Sequence, residues 1–374
     1  IMTFGGLFSL ISGRAMQVRE GVLLKELFEA DQLNSVFAMI RAILIYTFGA
    51  ELIGAALLWG LWPELSLGDR IFYCLFHSIA SFCNAGFSVM PNNANLLGYG
   101  SHWQVWGGVA GLVILGGIGF GVLNDLSKVF WQKVRQGRRP VFIKSPRNPS
   151  RLSLSTVIVL ATTAILLVFG TVVIYLLEWN GIVGKMPVGE GIATSWFQSV
   201  TCRTAGFNTI DIAALQPSTK LFCIFLMFVG ASPVSTGGGV KTASFALGAL
   251  AFISILRGRE QVELMGRTIP ESLIKRAFTI VGLSVIIVMT STMMLVIFEG
   301  QQHMLIDYIF ESTSAFATVG LSTGVSPNLS QPSLFCIILT MFIGRVGPLT
   351  LFIAVAGREV SAHYRYPEER VTLG

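Results

Sequence analysis

The chain has 374 residues, 53% of them hydrophobic and only 12% charged, with a mean hydropathy of +0.69. A soluble domain carries about 25% charged residues, so this composition excludes a water-soluble globule and indicates a protein that lives in lipid. The formal charge of +6 needs no nucleic acid to explain it, and its placement along the chain says more than its size.

The chain opens on Ile1-Met2-Thr3-Phe4-Gly5-Gly6, already apolar, which reads as the interior of a helix, with Arg14 marking a cytoplasmic exit. Residues 1–35 are expected to be the second helix and cytoplasmic segment of a first repeat. A membrane span follows over 36–59, with Glu51 inside it, expected to be buried against polar groups. The amphipathic stretch 70–81 is too short to cross, since about 30 Å of hydrocarbon needs roughly 20 helical residues. It is read as a re-entrant pore helix, which leads to Asn84-Ala85-Gly86-Phe87 and then to a second span over 103–131. This unit, 36–135, is followed by a basic loop, 136–150.

The same order recurs twice. In 151–260 a span over 152–177 leads to a short stretch at 190–201, then Thr204-Ala205-Gly206-Phe207, then an apolar run over 221–256. In 261–358 a span over 278–298 leads to 303–315, then Thr318-Val319-Gly320-Leu321, then a span over 334–355; residues 359–374 form a cytoplasmic tail. The segment 132–151 holds Lys133, Arg135, Arg138, Arg139, Lys144, Arg147 and Arg151 with no acid, while 90–103 and 321–334 have neither Lys nor Arg. The positive-inside bias puts the basic loop in the cytoplasm and the loops after the tetrads outside.

Each tetrad is announced by a Phe-polar-Ser triplet: Phe76-His77-Ser78, Phe197-Gln198-Ser199 and Phe310-Glu311-Ser312. The triplet Phe precedes the tetrad glycine by ten residues in the first and last copies and by nine in the middle one. Gly119 follows Gly86 by 33 residues and Gly239 follows Gly206 by the same 33, whereas Gly347 follows Gly320 by 27. Such internal repetition points to a pseudo-symmetric fold. The expected class is an all-α multi-pass membrane protein, with a pseudo-fourfold repeat of helix–pore loop–helix units around a central pore. On that pattern residues 1–14 match the other second helices, so the first repeat is only half present, and another tetrad is expected upstream of Ile1.

A dehydrated cation needs oxygens that replace its water shell, and backbone carbonyls supply them where the chain turns sharply. Asn84, Ala85, Gly86, Thr204, Ala205, Gly206, Thr318, Val319 and Gly320 are therefore the candidate filter, with K⁺ at their carbonyls. Gly206→Ser is expected to disturb selectivity more than folding, and Gly98, in an outer loop, is expected to be an indifferent glycine. The run Gly230, Ala231, Ser232, Pro233, Val234, Ser235, Thr236, Gly237, Gly238 and Gly239 cannot remain regular helix, since Gly costs about 1 and Pro about 3 kcal/mol inside one. It is read as an intramembrane gate. A phosphate-binding loop is excluded because no Gly-Lys-Ser/Thr follows a strand. Arg345, inside the last span, is the electrostatic part of the gate, since a charge there is costly and marks an ion path or a paired structural charge. Arg203 is expected to brace the filter, with Gln198 and Glu311 as partners. Lys241 is assigned either to the cytoplasmic vestibule or to the membrane surface. Cys74, Cys83, Cys202, Cys223 and Cys336 have no metal-ligand spacing and read as buried free thiols. A membrane-embedded enzyme would need intramembrane acid–base or metal clusters, and no such spacing occurs.

With these residues in view the chain resembles the Trk/Ktr/HKT superfamily of cation transporters, and within it the membrane subunit of bacterial Ktr potassium-uptake systems. The likeness rests on Ser81-Phe82-Cys83-Asn84-Ala85-Gly86-Phe87, Ser199-Val200-Thr201-Cys202-Arg203-Thr204-Ala205-Gly206-Phe207, Ser235-Thr236-Gly237-Gly238-Gly239-Val240-Lys241-Thr242 and Gly344-Arg345-Val346-Gly347-Pro348-Leu349-Thr350. It implies K⁺ transport across a bacterial plasma membrane, a homodimer, and a cytoplasmic nucleotide-binding regulatory ring. It also implies nucleotide on that partner and not on this chain, Na⁺ as an activating ion, and no covalently bound cofactor. The loop 230–239 matches the family's intramembrane gate, beside which the resemblance places Arg345. A sodium-permeable member of the same superfamily is the alternative, since Ser in place of one filter glycine accompanies Na⁺ transport in plant members.

Overall fold

The computed structural model describes residues 33–91, 94–136, 152–259 and 261–356. The assignments made for 1–32, for most of the basic loop 136–150 and for the 359–374 tail lie outside the described residues.

Three units of the same construction follow one another. In the first, α1 (Leu33–Leu58) is joined to the short α2 (Leu67–Phe82), and a π-helical turn (Gln104–Val109) runs into α3 (Ala110–Ile118) and α4 (Phe120–Gln136). The second has α5 (Leu154–Leu177), α6 (Val188–Thr201), α7 (Pro217–Phe228) and α8 (Thr242–Leu256). The third has α9 (Glu271–Glu299), α10 (Leu305–Phe316), α11 (Gln331–Val346) and α12 (Pro348–Ala356). A small hairpin of β1 (Glu263–Leu264) and β2 (Arg267–Thr268), with Glu263 opposite Thr268, joins the last two units. Among the described residues three helices are long and apolar enough to cross a bilayer, within α1, α5 and α9, and there are four if the bent α3–α4 pair is counted as one broken span. Their outer faces carry Phe48, Leu52, Val168, Phe169, Ile286 and Met289, all exposed and suited to lipid.

The spans expected at 103–131 and 334–355 are not continuous. The first breaks at Gly119 (φ 95°), where the helix pair bends by 100°, and the last breaks at Gly347 (φ 96°). Composition hides the break at Gly347, because both halves of that span are apolar, whereas after Gly119 the polar residues Asn124, Asp125 and Lys128 already make α4 amphipathic. The spacing marks both, because Gly119, Gly239 and Gly347 are the three glycines the repeat aligns, and Gly239 also has a positive φ of 70°. L side chains seldom adopt such a backbone, so glycine at these positions permits the break.

The short helices α2, α6 and α10 share a design. Each has an acid in its first turn, Asp69, Glu190 and Asp307 respectively, favourable at the positive end of a helix dipole. Each ends at or just before its tetrad. Apolar burial gives little driving force inside lipid, so close contact between small residues must hold the elements together. Ser78 donates 2.6 Å to the Glu51 carbonyl, and Ser199 donates 3.0 Å to that of Leu167. Gly54 and Gly170, one turn further along α1 and α5, admit these serines, since a methyl group on either would overlap the serine hydroxyl. Phe197 and Phe207 pack in a buried cluster with Leu58, Trp62 and Val109 of the preceding unit, and Phe310 and Val319 pack with Ile174, Cys223 and Leu226 of theirs. Neighbouring units are thus locked through the residues that flank the tetrads.

Candidate functional site

The tetrads leave their helices by one device. Asn84, Thr204 and Thr318 have φ of 50°, 68° and 52°, and Gly86, Gly206 and Gly320 have φ of 69°, 80° and 90°. In the first and third units the helix ends in a Schellman arrangement, with Ala85 N–H donating to Ala80 O at 2.8 Å and Val319 N–H to Ser314 O at 2.9 Å. In the second unit the corresponding bond comes one residue later, from Gly206 N–H to Thr201 O at 3.4 Å. The anchor is always the residue four past the triplet Phe. The spacing of nine in place of ten is therefore expressed as a shifted hydrogen bond. These amides turn back on the helix, while among the tetrad carbonyls Gly86 O and Gly206 O accept from Asn95, Phe207 O from Thr201 and Leu321 O from Ser314.

The three tetrads meet side by side. A methyl on Gly86 would lie 2.6 Å from Ala205 O, and one on Gly206 would overlap Val319 O and sit 3.3 Å from Val319 C. Gly86 and Gly206 thus each abut the carbonyl just before the next unit's glycine, while a methyl on Gly320 would lie 3.8 Å from Gly206 Cα. The carboxyl ends of three short helices lie one or two residues before these tetrads, and the partial negative charge of a helix end favours a cation.

Behind the tetrads, the polar member of each triplet does different work. His77 accepts or donates through Nε2 to Ser88 Oγ at 2.9 Å, and Glu311 accepts from Ser322 Oγ at 2.5 Å, Ser326 Oγ at 2.8 Å and Thr323 N–H at 3.0 Å. Ser88 and Ser322 each lie eleven residues beyond their triplet partner. Gln198 makes no such brace and instead donates toward the Cys202 and Cys223 sulfurs. The second unit ties down its strand through Thr201 Oγ1, which donates to Phe207 O at 2.5 Å, as Ser314 Oγ does to Leu321 O at 2.6 Å. Neither Gln198 nor Glu311 is the partner of Arg203, contrary to the sequence expectation. Arg203 is buried and donates to Gly230 O at 3.4 Å, at the start of the 230–239 loop.

That loop lies directly against the tetrads. A methyl on Gly237 would overlap Thr204 Oγ1 and lie 2.5 Å from Ala231 Cβ, and one on Gly238 would lie 2.9 Å from Thr318 Cγ2. Val229 and Val240 form a parallel bridge that closes the neck of the loop. Ser232 N–H donates to Gly117 O at 3.0 Å, Thr236 Oγ1 to Phe82 O at 3.3 Å, and Phe120 N–H to Val234 O at 3.0 Å, so the loop also grips the break between α3 and α4. Lys241 Nζ donates to Gly237 O at 2.6 Å and is held against the loop, a placement that neither of its two sequence readings named. Arg345 donates to Thr236 O at 2.6 Å. It stands in the last turn of α11 and not in mid-helix, where a cation suits the negative end of the helix.

Several participants carried no readable signal. Glu178 accepts from Gln216 N–H at 2.9 Å and Glu299 from Ser330 N–H at 2.8 Å, each bridging from the end of a long helix to the start of the next apolar one. Lys220 and Asp307 form an ion pair at 3.0 Å that ties α7 to α10. Asn95 reaches two tetrad carbonyls from an outer loop. Among the described residues no group of three His, Cys, Asp or Glu could hold a metal ion. Cys83 is exposed, unlike the buried Cys74, Cys202 and Cys223.

Re-entrant loops that meet between membrane helices, repeated within one chain, define a pore-loop membrane transport protein. A family model described as TrkH, cation transport protein, matches residues 2–363. The Ktr system potassium uptake protein B of Bacillus subtilis is 33% identical over 376 residues, spanning 100% of this chain and 80% of that protein. The potassium/sodium uptake protein NtpJ of Enterococcus hirae is 31% identical over 374 residues, spanning 98% of this chain and 79% of that protein. The solved structure of the potassium transporter TrkH from Vibrio parahaemolyticus matches with a TM-score of 0.69 at 16% identity, over 90% of this chain and 68% of that one, which shows a shared fold. This chain belongs to the TrkH family of cation transport proteins. It is a multi-pass cell-membrane transporter and not an enzyme.

Proposed function

We propose that this protein carries K⁺ across the membrane along the tetrad carbonyls, under the control of the 230–239 loop. The observation that carries the reading is the side-by-side approach of the three tetrads at the carboxyl ends of three short helices. A dehydrated alkali cation is the ligand such a cluster of neutral oxygens suits. The names of the two relatives, a potassium uptake protein and a potassium/sodium uptake protein, agree with it. The loop beneath Thr204 and Thr318, with Arg345 latched onto Thr236 O, acts as the gate. A homodimer, a cytoplasmic nucleotide-binding partner and activation by Na⁺ complete the proposal and rest on the family resemblance alone.

The test is competitive K⁺ and Na⁺ uptake in proteoliposomes by the wild type and Gly206→Ser. The serine Cβ would press on Val319 O and turn a carbonyl aside, so K⁺ preference should fall while the protein still assembles. Wild-type selectivity at wild-type expression would show that the tetrads are not the filter. A second reading, a carrier that accepts both ions, is favoured by the likeness to the potassium/sodium uptake protein. It predicts substantial Na⁺ uptake by the wild type itself.

A further inference from the structure

Asn95 belongs to the loop that follows the first described tetrad. Its backbone is left-handed, at φ 52°, a conformation that asparagine tolerates better than most residues. Leu96 N–H, next to it, donates to Asn208 O at 3.2 Å and so fixes this loop to the following unit. From there the side-chain Nδ2 lies 3.4 Å from Gly86 O and 3.5 Å from Gly206 O, the glycine carbonyls of two different tetrads. The other end of the same amide, Oδ1, is buried and has no hydrogen-bond partner.

A lone amide nitrogen between two converging carbonyls stands where a cation would be welcome, since it offers them the same positive face. Half a turn about χ2 exchanges the two ends of the amide, and that torsion is broad and roughly two-fold. The exchange would bring Oδ1 toward Gly86 O and Gly206 O, three acceptors converging with no donor. This is unfavourable in an empty site and favourable around a desolvated cation, whose ligands are oxygens. We propose that Gly86 O, Gly206 O and Asn95 Oδ1 form a binding position for a dehydrated alkali cation at the edge of the tetrads, with the Asn95 amide turning over as the ion enters and leaves. This rests on the filter reading above. Because the two carbonyls are held by backbone while the third oxygen sits on a jointed side chain, Asn95 tunes which ion fits. It is a specificity-determining residue as well as a brace.

The experiment uses the full chain in detergent and in proteoliposomes, with K⁺, Rb⁺ and Na⁺ as probes. Asn95→Asp keeps the length of the side chain but presents oxygen at both ends, with no donor. Asn95→Gly keeps the left-handed backbone accessible and removes the side chain. Asn95→Asp should lower the K⁺ concentration for half-maximal uptake roughly tenfold, and Asn95→Gly should raise it by a similar factor and alter the Rb⁺ to K⁺ ratio. Stabilisation by added K⁺ in thermal unfolding should grow in the first variant and shrink in the second. If both variants lower the melting temperature equally with and without cation, and half-saturation is unchanged, Asn95 is only a brace and the inference is overturned. Should Asn95→Gly fail to assemble, the cation-dependent thermal shift of Asn95→Asp decides alone. Gly206→Ser separates the levels. If it changes selectivity and the Asn95 variants do not, only this inference falls; if all three leave selectivity untouched, the filter reading falls with it.

Discussion

Gly237→Ala should release the gate. An added methyl would overlap the Thr204 hydroxyl and stand 2.5 Å from Ala231 Cβ, where ordinary contact begins at 3.4 Å. Thr204 cannot easily turn away, because a β-branched side chain is stiff at χ1 and its backbone is already left-handed. Ala231 is itself tied into the loop, its N–H donating to Gly238 O and its carbonyl accepting from Thr242 N–H at 3.2 Å. The loop must therefore rearrange about Ala231 and also yield away from Thr204, whose Cβ would lie only 3.0 Å from the methyl. Overpacking of this kind costs about 1–3 kcal/mol, and it is charged to the closed arrangement only. The ratio of closed to open protein then falls by roughly 5–150-fold. Uptake of K⁺ into proteoliposomes at matched protein content measures the effect. Gly248→Ala is the control, since a methyl there meets nothing within 4 Å. An uptake rate equal to wild type in Gly237→Ala, at normal expression and selectivity, would refute the assignment of the loop as gate.

Three further outcomes are expected. Arg345→Ala removes the donor to Thr236 O, and deletion of 232–236 removes the acceptor with its neighbours; both should raise basal uptake, and Arg345→Lys should raise it less. Lys220→Met strands Asp307, 13% exposed in its side chain, and should lower the melting temperature in detergent more than Lys220→Met combined with Asp307→Leu. An equal loss in both would mean that the pair contributes nothing beyond its packing. Glu311→Ala leaves Ser322, Thr323 N–H and Ser326 without their common acceptor, whereas Gln198→Ala removes only weak bonds to sulfur, so selectivity should suffer more in the first variant.

The repeat was legible because its signals are local. The triplets, the tetrads and the glycine spacings placed the short helices 67–82, 188–201 and 305–316 within a few residues of their observed bounds. What escaped depended on how units meet. Thr204 and Thr318 in left-handed backbone break the usual rule for β-branched residues, and only the packing of the 230–239 loop against them gives that conformation a context. Arg203 was assigned to the side chains of Gln198 and Glu311, but its partner is a backbone carbonyl, Gly230 O, on the loop. Gly98 looked like a neutral control; its φ of 86° makes any side chain there a strain, although open space surrounds it. The break at Gly347 was hidden for the opposite reason, since apolar helix continues on both sides, while at Gly119 the change from an apolar to an amphipathic helix was a signal that the span 103–131 passed over. Eleven-residue separations between His77 and Ser88 and between Glu311 and Ser322 were readable in principle, but their meaning appears only once the intervening chain is seen to turn back.

The unequal braces behind the tetrads have a consequence for inheritance. In a ring built from identical chains, any codon change is imposed on every wall at once, and a residue that must differ from wall to wall cannot exist. Here one wall carries an imidazole, the next a carboxamide and the next a carboxylate, at the same station of the repeat. Each can drift under its own selection, and a damaged one is cushioned by intact neighbours. The same arrangement lets an experimenter carry a single side chain from wall to wall and ask what it does in each setting.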